Sequence, residues 1–398
     1  MKLNMNKMRA NAKKAAKNVS YGFRNPKIWI DSGNYAMNYR MTRSFQHGYP
    51  LGKVTMLAGE SGSGKSFLAA SAIKEAQKKG NIYTIIFDSE QAMDEDWLTA
   101  VGVKVRKTVD ELDEDEMKEY QKTGELPEDD YIQRYAVTMI DDLAKLINSF
   151  MNDYKEQVEG VPEEDRPYIL FVVDSLGGLQ TPAAVDQFQK GDMKGDFGHK
   201  PKQLKALIMN CVNMFGEYDV GMICTNHTYA SQDMFDPDDK VAGGSGPVYA
   251  ASIVLGLKKL KLKMNEDGEK VTDVKGIRSK AKVMKTRFSQ PFKESEMKIF
   301  YESGLEKYSG LFELFQELNL ITKPSGNKWF YTDKQGNEHK YFEKEYLRNE
   351  NGILDLIMSE FDVVENIIEN MEEEPDEEAM IDEFLKMHSE ENQEEVIE

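Results

Sequence analysis

Eight consecutive residues constrain this chain more than any other feature. Gly59-Glu60-Ser61-Gly62-Ser63-Gly64-Lys65-Ser66 follows the pattern G-x-x-x-x-G-K-[ST], between a short apolar run, Val54–Leu57, and an Ala-rich helical stretch, Phe67–Lys79. Strand, glycine-rich turn and helix form the context in which this pattern cradles phosphate. Glycines let successive backbone N–H groups turn inward, and the helix N-terminus behind them favours an anion. Gly59 to Gly64 would form the cradle, Lys65 would reach the outer phosphates and the Ser66 hydroxyl would ligate Mg²⁺. Such a loop needs a buried strand on one side and helices to cover the sheet, which makes the fold class α/β.

The flanking pattern extends this reading. Gly80-Asn81 ends the first helix, and Ile82–Phe87 reads as the next buried strand. A further strand is expected near Val103. Residues 110–130 are acidic, contain Gly124 and Pro127, and read as an exposed insertion. Ile132, Tyr135, Met139, Leu143, Leu146, Phe150 and Tyr154 recur every three or four residues, which predicts one long amphipathic helix. Tyr168–Val173 and Val220–Thr225 read as buried strands, with a helix over Gln203–Phe215 between them. Strands alternating with helices predict a central, mostly parallel sheet covered on both faces. The expected organisation is a basic arm over 1–30, a core over 31–305 with an acidic insertion near 108–165, a small α+β module over 306–358, and an acidic, mostly disordered tail over 359–398.

Charge bears on partners. The chain has 398 residues and a net charge of −19. Residues 1–53 hold eleven Lys/Arg against Asp31 alone, residues 359–398 hold seventeen acids against one Lys, and residues 108–165 hold nineteen acids against five basic residues. The rest is close to neutral, so a nucleic-acid partner is not excluded. Two cysteines, Cys211 and Cys224, make no disulfide framework and point to a reducing, cytoplasmic compartment. No run approaches the roughly 18 apolar residues of a membrane span, and the basic N-terminus lacks the apolar stretch of a secretory signal. Five His and two Cys show no zinc-ligand spacing.

Two carboxylates accompany the phosphate loop. Asp174 ends the apolar strand Tyr168–Val173, where an acid holds Mg²⁺ directly or through water. Glu90 follows the strand Ile82–Phe87, where a carboxylate can orient and deprotonate an attacking water. Position alone equally allows a surface acid or a helix-capping partner for Glu90.

Five blocks, in order and spacing, resemble the RecA-type recombinases, and within them the phage branch, over about residues 30–350. They are Phe87-Asp88-Ser89-Glu90-Gln91-Ala92-Met93-Asp94, Val173-Asp174-Ser175-Leu176, Thr225-Asn226-His227-Thr228-Tyr229, Gly243-Gly244-Ser245-Gly246 with Tyr249-Ala250-Ala251-Ser252, and Lys285-Thr286-Arg287. The resemblance implies a RecA-type ATPase core with an N-terminal packing arm, using ATP and Mg²⁺. It implies Glu90 as catalytic base and His227 as γ-phosphate sensor. Asp94 would bind the adenine amino group, and Trp97 and Tyr301 would flank the ring; a core-packing role remains open for Trp97. Lys285 and Arg287 would reach the ATP of a neighbouring subunit, making a head-to-tail helical filament.

The loops Gly177–Lys200 and Thr228–Ser245 would carry DNA. In the first, Phe197 and Gly198 lead into Lys200, Lys202 and Lys205, whose amines suit phosphates. The second carries Phe235, similar to a wedge between bases, and ends in Gly243 and Gly244. Asp233, Asp236, Asp238 and Asp239 beside Phe235 are not what a phosphate groove wants. The implied function is ATP-dependent strand exchange between single-stranded and homologous duplex DNA in recombination, repair and recombination-dependent replication. A phage single-stranded-DNA-binding protein and a mediator protein are the further partners implied, in the cytoplasm of a bacterial host. A hexameric RecA-fold helicase and an ATP-gated DNA-coating protein remain alternatives.

Overall fold

The computed structural model describes residues 25–191, 198–229, 239–264, 270–324 and 326–361, with isolated positions nearer the N-terminus. The tail beyond 361 and most of the basic arm lie outside the described residues.

The chain enters through β1 (Trp29–Ile30), α1 (Tyr35–Thr42) and β2 (Tyr49–Pro50), then β3 (Val54–Gly59), the phosphate loop and α2 (Lys65–Lys79). There follow β4 (Ile82–Asp88), α3 (Glu95–Val101), α4 (Glu114–Thr123), β5 (Ile132–Ala136), α5 (Ile140–Gln157) and β6 (Tyr168–Asp174). Next come α6 (Pro182–Gln189), α7 (His199–Tyr218), β7 (Gly221–Tyr229), β8 (Lys240–Val241) and α8 (Ser245–Ala250). Three longer strands follow, β9 (Ile253–Leu262), β10 (Gly276–Lys285) and β11 (Glu294–Phe300), then the short β12 (Gly304–Leu305). Then come α9 (Leu311–Glu317), the hairpin β13 (Lys328–Thr332) and β14 (Glu338–Phe342), and α10 (Glu343–Leu347), and the described chain closes with helical residues 353–361.

One sheet dominates, in the order β12-β11-β10-β9-β3-β7-β6-β4-β5, with β8 on the end of β7. The six strands from β9 to β5 run parallel; β10, β11 and β12 extend the sheet antiparallel. The mostly parallel α/β sheet expected from the sequence is therefore present. Its central strands are apolar on both faces, as a sheet covered by helices on both sides requires. In β6, Ile169, Phe171 and Val173 pack into one core with Leu143, Ile147 and Met151 of α5 and Leu204, Leu207 and Phe215 of α7. Leu170 and Val172, one residue out of phase, pack into a second core with Leu68, Ala69, Ala72, Ile73 and Ala76 of α2. The alanines let α2 lie close against the sheet, which fixes the direction of the phosphate loop.

Three expectations change. Val103 is buried, but it begins no strand: Lys104, Arg106 and Lys107 follow it, and a single bridge, Arg106 to Glu128, is all that forms. Ile132 and Tyr135 belong to β5, paired in parallel with β4, and the helix starts only at Ile140. Their three-residue spacing fits a helix, but pairing with the open edge of β4 wins. The first long loop contains α6, because Thr181 caps it by accepting from Ala184 N–H at 3.1 Å and Pro182 takes the first helical position.

The segment after β12 shares its core with α1. Tyr35, Ala36, Tyr39 and Phe45 pack against Leu311, Phe312, Phe315, Tyr346 and Ile353. Asn34 caps α1 through Met37 N–H and donates from Nδ2 to the Ser309 carbonyl at 2.9 Å, joining the two segments.

Candidate nucleotide site and its link to the loops

The phosphate loop turns between β3 and α2 with Gly62 and Gly64 at φ 69° and 99°. Only glycine adopts these values freely, and a Cβ on Gly64 would also meet Ile299 Cδ1 at 2.8 Å. Lys65 Nζ folds back onto the loop, donating to the carbonyls of Gly59 at 3.0 Å and Glu60 at 2.9 Å. Burial lowers the Lys65 pKa, opposed by the carboxylates of Asp174, Glu90 and Glu60. The cation is thus parked on weak neutral acceptors, ready to exchange them for a charged one.

Asp174 and Ser66 stand beside it. Asp174 is buried, and one oxygen accepts from the Thr225 hydroxyl in the middle of β7. Burial raises its pKa, while the Thr225 and Ser66 hydroxyls hold it down. Ser66 lies close enough to influence Asp174 without a well-formed hydrogen bond: Oδ2 is buried with no partner. An orphaned carboxylate oxygen beside a hydroxyl fits a Mg²⁺ ion, which takes one or two protein ligands and completes its shell with phosphate and water. Among the described residues no cluster of three or more His, Cys, Asp or Glu could hold a metal.

A cleft of about 510 Å³ opens beside the loop, lined by Gly62, Gly64, Lys65, Ser66, Trp97 and Tyr301 among others. Trp97 lines the cleft, meets Phe67 edge-on at 6.4 Å and also packs against the α2-side core. Tyr301 is largely exposed at the mouth. Asp94 does not line this cleft; its Oδ1 caps α3, accepting from Trp97 N–H at 2.8 Å. Lys259, which the sequence did not single out, lines the cleft and donates to the Ser61 carbonyl at 3.4 Å.

Glu90 projects from the end of β4 toward the ends of β6 and β7. Its Oε1 accepts from the Ser175 hydroxyl at 2.5 Å and contacts His227 Nε2 at 2.9 Å. Around His227 the packing is tight. A Cβ on Gly177 would lie 2.6 Å from the imidazole Cδ2. Asn226, next to His227, donates from Nδ2 to the Ala242 carbonyl at 2.8 Å, and Ala242 N–H returns to the His227 carbonyl at 2.8 Å. Lys200 Nζ donates to the Gly177 carbonyl at 2.6 Å. A continuous path of contacts therefore runs from Glu90 through His227 to the bases of both long loops.

The expected DNA residues fall in two groups. Lys200, Lys202 and Lys205 lie in the first two turns of α7, which Gly198 caps at φ 81°. Gly243 and Gly244 close the second loop with φ of 84° and 77°, Gly243 facing Leu204 of α7, and Gly246 seats directly on the Lys205 stem. These residues share one surface. Phe197 and Phe235 lie outside the described residues.

Lys285 and Arg287 are not at this chain's own cleft. Gly276 and Ile277 at the start of β10 line the cleft, but Lys285 at its end does not. A bulge between Val283 and Lys285 changes the register, and Lys285 Nζ donates to the carbonyls of Tyr249 at 2.5 Å and Ala251 at 2.7 Å, capping the end of α8. Burial and the nearby Arg287 lower the Lys285 pKa. Arg287 is exposed.

Sequence reasoning missed Ser175, Thr225, Asp88 and Arg134. Ser175, Thr225 and Asp88 lie inside the quoted blocks, but their types and spacing alone give them no role. Arg134 leaves no signal, because the helical spacing around it gives no hint of the pairing between β5 and β4 that brings it to Asp88.

A family model for the RecA N-terminal domain matches residues 24–121. The chain is 29% identical over 330 residues to Protein RecA of Corynebacterium jeikeium (strain K411), covering 80% of this chain and 72% of that protein. It is 26% identical over 374 residues to Protein RecA of Streptococcus pneumoniae (strain Hungary19A-6), covering 90% of this chain and 84% of that protein.

Proposed function

These similarities support the RecA family, and from that premise we propose that the chain is an ATP-dependent DNA strand-exchange recombinase, of the phage UvsX form. It assembles as a head-to-tail filament on single-stranded DNA and pairs that strand with homologous duplex. Its setting is the cytoplasm of a bacterial host, alongside a phage single-stranded-DNA-binding protein and a mediator. The observation that carries this reading is the contact path from Glu90 through His227 to Gly177 and Ala242, which puts nucleotide state and loop position in one network.

The residues divide the work. Gly59 to Gly64 present backbone N–H groups to the triphosphate, and Lys65 leaves the Gly59 and Glu60 carbonyls for it. Mg²⁺, held at Ser66 and Asp174, would supply charge neutralisation on the phosphates. Glu90 accepts the proton of the attacking water, with Ser175 and His227 fixing its carboxylate. Trp97 and Tyr301 flank the base, and Asp94, which caps α3 off the cleft lining, would reach the amino group only on leaving that cap. Lys285 and Arg287 serve the site of the next protomer, since they lie off their own cleft. A heterologous interface of that kind propagates unless its rotation closes. Lys200, Lys202, Lys205, Gly243 and Gly244 hold the DNA backbone, and Phe197 and Phe235, outside the described residues, are assigned to DNA from their place in the sequence.

The test is ATP hydrolysis with and without single-stranded DNA, beside a D-loop assay with homologous duplex. DNA-stimulated hydrolysis and ATP-dependent D-loops are expected. Hydrolysis with unwinding but no D-loop would replace this reading with a helicase.

A further inference from the structure

Asp88, at the end of β4, is fully buried, and its carboxylate gathers five N–H contacts. Oδ1 accepts from the backbone N–H of Glu90 at 3.1 Å and of Ala92 at 3.3 Å. Oδ2 accepts from Met93 N–H at 3.0 Å and from Arg134 Nε at 3.2 Å and Nη2 at 2.6 Å. Three of the five donors are backbone groups of residues 90–93. The turn that carries Glu90 is therefore wound around this one carboxylate. Within it, Gln91 takes φ 55°, a left-handed conformation that a non-glycine residue keeps only where its surroundings hold it.

Arg134 supplies the counter-charge. It lies on the edge strand β5, opposite Ile86, and is about one-third exposed, while its partner is completely covered. A buried carboxylate stripped of its cation is strongly unfavourable, so the guanidinium holds the charge that holds the turn. Neither residue lines the nucleotide cleft. From the start of the same turn, the Glu90 side chain reaches Ser175, just past β6, and His227 on β7. Its carboxylate is thus clamped from the β6 and β7 side, and its backbone from the β4 and β5 side.

We propose that Asp88 and Arg134 are positioning residues for hydrolysis: the ion pair sets the turn geometry from which Glu90 addresses the attacking water, without touching the nucleotide. The inference rests on the reading of Glu90 as the base. It makes the edge strand, remote from the phosphate loop, a determinant of turnover. Misplacing a catalytic group by about 1 Å can cost up to about a hundredfold in rate, so partial loosening of the turn is expected to show in kcat.

The experiment uses the full chain on single-stranded DNA. ATP hydrolysis is followed in the steady state for kcat and KM, and in single turnovers with radiolabelled ATP for slow variants. Arg134→Lys keeps the charge but loses the planar fork; it should lower kcat about threefold with KM unchanged. Arg134→Gln should lower kcat about tenfold or more, again with KM unchanged. In a Glu90→Gln background neither substitution should lower the residual rate further, because both act through Glu90. A loss of equal proportion in both backgrounds, a KM that rises in step, or wild-type kcat in both single variants overturns the proposal. If melting curves show that Arg134→Gln does not fold, Arg134→Lys decides by the same criteria. Normal hydrolysis by Glu90→Gln alone would instead remove the reading of Glu90, and this inference with it.

Discussion

Gly177→Ala tests the link between the nucleotide site and the loops. Gly177 does not have a positive φ, so alanine costs the backbone nothing there; the cost is space. The new Cβ would lie 2.6 Å from His227 Cδ2 and 3.2 Å from Asn226 Oδ1. Carbon atoms in contact need about 3.5–4.0 Å, so the imidazole must retreat by about 1 Å. His227 Nε2 now stands 2.9 Å from Glu90 Oε1. After the retreat their separation approaches about 4 Å, beyond hydrogen-bond reach. Both side chains are more than a third exposed, at 41% and 36%, so solvent takes up the broken contact. The stability cost should stay below about 1 kcal/mol, and the melting temperature should fall by no more than about 3 °C. The coupling cost is the informative quantity. About 1 kcal/mol withdrawn from communication between sites corresponds to about a fivefold smaller stimulation of hydrolysis by single-stranded DNA. ATP binding should be unchanged, because Lys65, Ser66 and Asp174 are untouched. Steady-state hydrolysis with and without DNA reads the ratio directly. A folded Gly177→Ala protein with the wild-type ratio would refute the argument that His227 carries the signal.

Three further outcomes follow from other parts of the molecule. Lys65→Ala should abolish hydrolysis and Arg287→Ala should impair it, yet a mixture should recover some activity, since one protomer would lend Lys65 and its neighbour Arg287; no recovery despite labelled co-assembly would rule out a shared site. Hydrogen bonds from Arg40 at 2.5 Å and Lys293 at 2.7 Å bring the Glu317 pKa down to about 2. Its contribution is complete above the ordinary carboxylate pKa of about 4.3 and disappears as pH falls toward 2, so Glu317→Gln should show a smaller loss of melting temperature between pH 6 and pH 3 than the wild type. Removing residues 362–398 should keep the fold and tighten duplex binding at low Mg²⁺, because a tethered polyanion no longer competes for the loop cations. Truncation after Ser359 should instead lower the melting temperature, because it removes Glu360, which accepts from Tyr331, and the Phe361 ring 5.8 Å from Tyr39 and 5.9 Å from Phe45; equal stability of the two truncations would contradict this.

What the chain announced by itself was local. The phosphate loop is eight contiguous residues whose glycines and lysine have meaning only together, and the two-faced apolar strands β3, β4 and β6 are short enough to read as runs. The parallel sheet followed, because strands that alternate with helices have few other ways to bury both faces. Tertiary structure decided what depended on distant partners. Residues 132–136 became a strand because β4 offered an open edge, overriding a spacing that suits a helix equally well. That pairing brought Arg134 to Asp88, 46 residues earlier, and so created a part-buried ion pair that no local pattern contains. Lys285 capped α8 because a bulge in β10 changed its register, and α1 joined the core of the C-terminal segment because Asn34 and Ser309 met across the fold. Hydrophobic periodicity records which face of an element is covered, but not which element covers it. The contacts that orient Glu90 depend on that second choice, which is made only when the whole sheet assembles.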